Sequence, residues 1–187
     1  MATRLAILAT TKAICRLLVD ACPKSDFPTA QIKIVQAEDI AGANLQFVGI
    51  SIYLYHIMAN QSRRNVPAQV SPAGKRTNPS LPLDLYYMLT PWASNSDFQL
   101  SLLGWAMSVL DNSPIIPASY LNHDFPGKKV FRPEESVELI FNPIPIQEIA
   151  HLWENLHQVR IMPSVTYIIR GVQIESGEGI DETKPGR

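Results

Sequence analysis

The stretch LPLDLYYMLTPW, residues 81–92, constrains the fold more than any other part of the chain. Leu81, Leu83, Leu85, Tyr87 and Leu89 share one parity, while Pro82, Asp84, Tyr86, Met88 and Thr90 share the other. Period-2 alternation marks a β-strand, whose successive side chains point to opposite faces. The Leu-rich face is apolar enough to line a core. The second face mixes a carboxylate, a phenol and a thioether, which suits contact with another surface better than a second core. Pro82 has no N–H for a ladder, so it belongs near the start of the strand or at a sheet edge.

Residues 47–57, FVGISIYLYHI, repeat the pattern. Val48, Ile50, Ile52 and Leu54 fall on one face, with Phe47, Ser51, Tyr53 and Tyr55 on the other, and simple alternation carries His56 to the core side. The two strands are expected to pair, with the Leu face against helices, through the long connection of residues 60–80. That connection carries Arg63, Arg64, Lys75 and Arg76 and no acidic residue. It lacks core periodicity, so it reads as a solvated hairpin loop or a protein contact. Nucleic acid is the weakest reading, because the segment has no aromatic side chain on which a base could stack.

The remaining elements follow from periodicity and punctuation. Residues 3–21 predict a helix with a broad apolar face, closed by Cys22 and Pro23, and Gln31–Val35 predicts a short strand followed by a turn. Ser96 and Gln99 have the spacing of a capping box ahead of a helix that is apolar almost all round. Residues 112–133 read as loop or irregular edge, and residues 135–141 as a strand. A further helix starts after Pro143 and Pro145 and ends near His157, with Ile146, Ile149, Trp153 and Leu156 on its apolar stripe. Val165–Ile174 predicts the last strand. The sum is an α+β fold, mainly an antiparallel twisted sheet flanked by helices, in a single domain over residues 1–174. Residues 175–187 form a polar, Gly-rich tail that cannot fold by itself.

Composition narrows the function. Charged residues make up 18% of the 187, leaner than the ~25% of an average soluble protein, so apolar surface buried against partners is expected. A formal net charge of −1 gives no global attraction to nucleic acid or anionic membrane, and no apolar run approaches a spanning helix. Arg4 followed by LAILA imitates the opening of a signal peptide, but Lys12 interrupts the run and helical spacing continues beyond it. Cys15 and Cys22 on one helix would lie about 10 Å apart, beyond disulfide reach, and are expected to be idle thiols.

Catalytic motifs are missing: the sequence has no Gly-rich phosphate loop, C-x-x-C, H-E-x-x-H or G-x-S-x-G. Glu148, His151 and Glu154 fall on one helix but drift off a common face, so they read as solvated, not as metal ligands. His56 reads as a hydrogen-bonded histidine near a strand end, and Trp92, Trp105 and Trp153 as core or interface anchors. No metal, cofactor or enzymatic activity is expected, and a small hydrolase would need an activated nucleophile that the sequence does not display.

Taken in order, ISIYLYHIMANQSRRN, LPLDLYYMLTPW, DFQLSLLGWAMSVLDNSPII and SVELIFNPIPIQEIAHLWENL, followed by VTYIIRGVQI, resemble the amino-terminal domain of the tail-terminator, or cap, proteins of contractile phage-tail-like injection systems. The resemblance spans nearly the whole chain and rests on the order of the segments. It implies an α+β domain without catalysis, assembled as a homohexameric ring on the distal end of the tube and sheath, where it stops their polymerisation. The implied partners are further copies of itself and the inner tube and sheath proteins, with no nucleic acid and no membrane insertion. The implied setting is the bacterial cytoplasm during assembly and the injection particle afterwards. Relatives usually have Ser or a similar cap residue where this chain has Pro145, and some carry a further carboxy-terminal domain, so this chain has the look of a minimal terminator. The expected partner-binding residues are Arg63, Arg64, Lys75 and Arg76 in the basic loop and Asp84, Tyr86 and Met88 on the second sheet face. A baseplate or tube-initiating adaptor of the same particle is the alternative.

Overall fold

The computed structural model describes residues 4–41, 47–60, 69–70, 76–77, 80–156 and 161–175. Its strands are β1 (Gln31–Val35), β2 (Gly49–Ala59), β3 (Gln69–Val70), β4 (Arg76–Thr77), β5 (Leu81–Trp92), β6 (Ile115–Pro117), β7 (Ser136–Phe141) and β8 (Val165–Ile174). Its helices are α1 (Ala6–Ala21), α2 (Ala37–Ala41), α3 (Ser96–Asp111), α4 (Ala118–Leu121) and α5 (Ile146–Asn155). Six strands form one sheet in the order β1-β2-β5-β8-β7-β6, and β3 pairs with β4 apart from it. Neighbours are antiparallel except β1, which runs parallel to β2. The fold is therefore α+β with a mainly antiparallel sheet.

β5 is central in this sheet, paired with β2 on one side and β8 on the other. Its Leu83, Leu85, Tyr87 and Leu89 are buried with Ile50, Ile52, Ile169 and Val172 in one core with Ala6, Ala9, Ala13, Ile14 and Leu18 of α1 and Leu102, Ala106 and Leu110 of α3. Each fully buried aliphatic side chain contributes about 1.5–3 kcal/mol against leaving it in water. Tyr87 brings one polar atom into this core. Its hydroxyl lies 2.9 Å from Thr11 Oγ1, and Thr11 donates to Ile7 O at 2.8 Å, so Tyr87 is the donor to Thr11. Burial raises the Tyr87 pKa.

Pro82 sits at the start of β5, as its missing N–H requires, but it marks no edge, since the edges are β1 and β6. The cap of α3 is Asn95, whose side chain accepts from Asp97 N–H at 2.8 Å, while Gln99 donates to Pro91 O at 2.9 Å instead of returning to Ser96. α2, β6 and α4 are too short to show a period, and fall where the sequence predicts turn, loop or irregular edge.

Two bulges alter the register. Leu54 faces Tyr87 but His56 faces Tyr86, so Tyr55 is an extra residue and the parity of β2 flips beyond it. His56 consequently leaves the core side predicted by simple alternation and lies exposed, its ring 5.3 Å from that of Tyr86. On β8, Arg170 and Gly171 together oppose Asp84, between the pairs Leu83–Val172 and Leu85–Ile169. Gly171 has φ +90°, a conformation that suits a residue without Cβ at a bulge.

Candidate interaction surface

The face of the sheet away from α1 and α3 is divided in two. In the first half, Val35, Met88, Trp153 and Leu156 are buried together with Ile40, and Tyr53, Trp92, Ile149, Leu152 and Met162 pack around them. α5 has to hide its apolar stripe, and the Val35–Tyr53–Met88 row is apolar ground to receive it. Trp153 meets Trp92 edge to face at 6.4 Å. Trp92 Nε1 in turn donates to Ser51 Oγ at 2.8 Å, and Ser51 donates to Thr90 O at 3.3 Å, whereas the buried Trp153 Nε1 has no hydrogen-bond partner among the described residues. Ile146, placed on the stripe by sequence periodicity, is 63% exposed; the covered side is Ile149, Leu152, Trp153 and Leu156.

Over the second half no helix of the described residues packs on the face. His56 and Met58 of β2 stand opposite Tyr86 and Asp84 of β5, and Arg170 of β8 lies opposite Glu138 of β7. Asp84 accepts from Asn60 Nδ2 at 3.2 Å through both oxygens, and Arg170 Nε lies 3.9 Å from it. Glu138 and Arg170 stand exposed across β7 and β8, Asp84 on β5 is buried beside Arg170, and the Tyr55, His56 and Tyr86 rings and Met58, which is 47% exposed, border them.

Of the three residues expected on a contact face, Tyr86 lies half-buried on this half, Asp84 lies on it but is buried, and Met88 lies elsewhere. Met88 is fully buried under α5, which the sequence reading had left without a seat. Arg63, Arg64 and Lys75 lie outside the described residues. Arg76 opens β4, in register with Val70.

The remaining chemistry is structural. The Cys15 thiol donates to Ile32 O at 3.7 Å, and burial, with Asp124 adding to it, raises its pKa, the reverse of an activated nucleophile. Arg16 meets Asp124 at 2.6 Å, which lowers the Asp124 pKa and pins α1 to the segment after α4. His151 and Glu154 form an exposed pair at 3.1 Å. Among the described residues no three His, Cys, Asp or Glu side chains converge as metal ligands, and no helix is long and apolar enough to cross a membrane. Among the described residues, what the arrangement offers is surface: one sheet face covered over half its extent and two unpaired sheet edges.

The sequence matches the family described as the Pvc16 N-terminal domain over residues 9–186. Among solved structures, the fold is similar to the sheath/tube terminator, in its extended state, of the extracellular contractile injection system PVC. That match has a TM-score of 0.65 at 16% identity, covering 100% of this chain and 62% of that one. It is also similar to the anti-feeding prophage cap, the AFP tube-terminating cap, with a TM-score of 0.65 at 14% identity, covering 95% of this chain and 58% of that one. The chain therefore spans about three-fifths of the length of these structures, and at such identities the likeness is one of fold. No curated protein matches the sequence. With the family match running over nearly all of its residues, the chain belongs to the Pvc16 N-terminal domain family.

Proposed function

We propose that this chain is a structural capping domain that forms a ring on the distal end of the tube and sheath of a contractile injection system and terminates their growth. The observation that carries the reading is family membership joined to a fold that aligns over its whole length with a sheath/tube terminator. A terminator needs one surface that fits the exposed end of a polymer and no equivalent surface on the other side to continue it. The sheet supports this asymmetry, since α1 and α3 close one face and α5 closes only half of the other.

In this reading the protein works without catalysis. It assembles in the bacterial cytoplasm, joins the particle, and touches neighbouring copies, the inner tube and the sheath, with no nucleic acid and no membrane insertion. Arg63, Arg64, Lys75 and Arg76 meet an acidic rim of the tube or sheath, and Asp84 and Tyr86 add contacts from the open half-face. Replacing the four basic residues by Ser then weakens capping, and most at low salt, where the contacts they make are least screened. The test is particle length and cap occupancy by negative-stain imaging, with and without the protein. Loss of the protein should give tubes and sheaths of uncontrolled length. Unchanged length, or a label on the protein at the baseplate end, overturns the reading, and the second outcome favours an adaptor.

A further inference from the structure

The two edges of the sheet differ in kind. β6 is short, with Pro117 inside it and Pro114 beside it, and prolines have no N–H to recruit a foreign strand. β1 has no proline and pairs with β2 in unbroken register. Gln31 N–H donates inward to Val48 O at 2.9 Å, so the alternation of the ladder turns the backbone groups of Ile32 and Ile34 outward. Ile34 is 44% exposed, and Leu8 and Val19 on α1 are 45% and 48% exposed. A cavity of about 450 Å³ beside Ile34 is lined by Arg4, Ile7, Leu8 and Leu54, and another borders Lys12 and Val19. With Lys33 the rim of this strip is basic. The acids near it are engaged or beyond it: Asp124 is held by Arg16, and Glu38 and Asp39 follow the strand, Asp39 accepting from Gln36 N–H at 2.8 Å.

At the opposite end, β6 pairs with β7 as far as Glu138, and Pro114 O takes the Leu139 N–H at 2.8 Å. Asn142 N–H donates back toward β8, to Thr166 O, so the backbone groups of Phe141 face outward past the end of β6. Phe141 is 45% exposed and Ile115 is 61% exposed. Beside them stand Glu138, with Arg170 across from it, and Asp111, which acts on Tyr167, the ring that Phe141 meets at 5.6 Å.

We propose that these edges meet head to tail, with β1 and the Leu8, Ile34 and Val19 strip of one copy seated on the Ile115 and Phe141 edge of the next. Charge selects a second copy in this orientation, setting Arg4, Lys12 and Lys33 against Asp111 and Glu138, whereas like edges would oppose cation to cation. The two surfaces differ and lie at opposite ends of one sheet, so the contact is heterologous and closes a ring if the rotation between copies closes. The proposal rests on the ring reading above and assigns its contacts.

The test uses two variants of the full-length protein, Ile34→Asp and Phe141→Asp, with mass measured by light scattering. Both positions are exposed, and unchanged circular dichroism and melting check the fold. Each variant alone should lose the ring. An equimolar mixture should form a one-to-one dimer and nothing larger, because only one intact pair of edges remains. Variants that keep the wild-type ring overturn the proposal and leave the ring reading standing, and so does a mixture that stays monomeric. A wild-type protein that is monomeric both in solution and on particles removes the ring reading itself. Should aspartate at position 34 loosen β1, the pair Arg4→Glu and Lys33→Glu is the substitute. It should break the ring, and mixing with a partner carrying Asp111→Lys and Glu138→Lys should restore a ring of alternating copies, because both contacts are then complementary; failure of either step counts against the proposal.

Discussion

Gly49 opens β2 at φ +154°, and a Cβ built there would lie 1.8 Å from Gln31 O and 2.7 Å from Gln31 C and N. All three atoms are backbone, so no side chain can swing away. Gly49→Ala must push β1 off β2 by more than 1 Å to reach the ~3 Å that real contacts tolerate, which breaks the Gln31 N–H bond to Val48 O and neighbouring rungs. Each lost rung costs about 0.5–1.5 kcal/mol, and a side chain held at this φ adds roughly 1–3 kcal/mol. The expected loss is therefore about 2–5 kcal/mol. Gly104→Ala is the matched control, because a Cβ there meets nothing within 4 Å in the middle of α3, and replacing a helical glycine should stabilise by about 0.8–1 kcal/mol. Urea denaturation gives both numbers, and amide exchange at residues 31–35 locates the first. A Gly49→Ala protein within 1 kcal/mol of wild type, or one whose β1 amides stay protected, would refute the reasoning.

Trp153→Ala should cost about 3–5 kcal/mol by denaturant titration, because it empties the fully buried site over Met88 and Trp92. The Tyr87 pKa is raised, so the fold favours the protonated phenol. That stability is complete below the unfolded value of about 10 and is lost as pH rises above it, as the midpoint of denaturation should show. Tyr87→Phe should flatten this alkaline loss and leave the smaller slope from Tyr120 and Tyr167, both pushed up to about 12, mainly by burial. The Asp124 pKa is lowered by Arg16, so its contribution is present above the unfolded carboxylate value of about 3.9 and fades as pH falls through the folded value. Arg16→Ala should make the acid loss of stability shallower below pH ~4.

Strands were legible wherever alternation ran long. LPLDLYYMLTPW and VTYIIRGVQI occupy the whole of β5 and β8, and β5 pairs with β2 with its Leu face under the helices. Alternation failed at Tyr55, because a bulge is set by the ladder and leaves no mark on a period-2 pattern; His56 was carried to the wrong face as a result. The cap of α3 was misread by one residue because Asn95 and Ser96 are both good caps, and sequence alone does not say which side chain reaches Asp97 N–H. The burial of Met88 was within reach of inference. The stripe of α5 needed an apolar seat, and Val35, Tyr53 and Met88 offered one on the face read as free.

Because α5 ends midway across the second face, neighbouring rows of one strand answer different questions. Met88 lies under Trp153, so a polar residue there leaves an unpaired group in a dry cluster, and any loss of capping would report unfolding. Two positions along, Tyr86 faces His56, and Asp84 faces Met58 beyond it, where nothing among the described residues covers Met58 to the same degree. A polar replacement of Met58 should leave folding within about 0.5 kcal/mol, as for surface sites generally. Loss of capping at unchanged stability would then belong to docking alone. The same separation holds at the edges, where Ile34 and Phe141 are exposed while Ile32, one step inward on β1, packs against the core with α1. Interface variants in this chain are informative only when drawn from the open half-face and the free edges. There the local fold already satisfies its own contacts, and an assembly defect cannot be charged to the core.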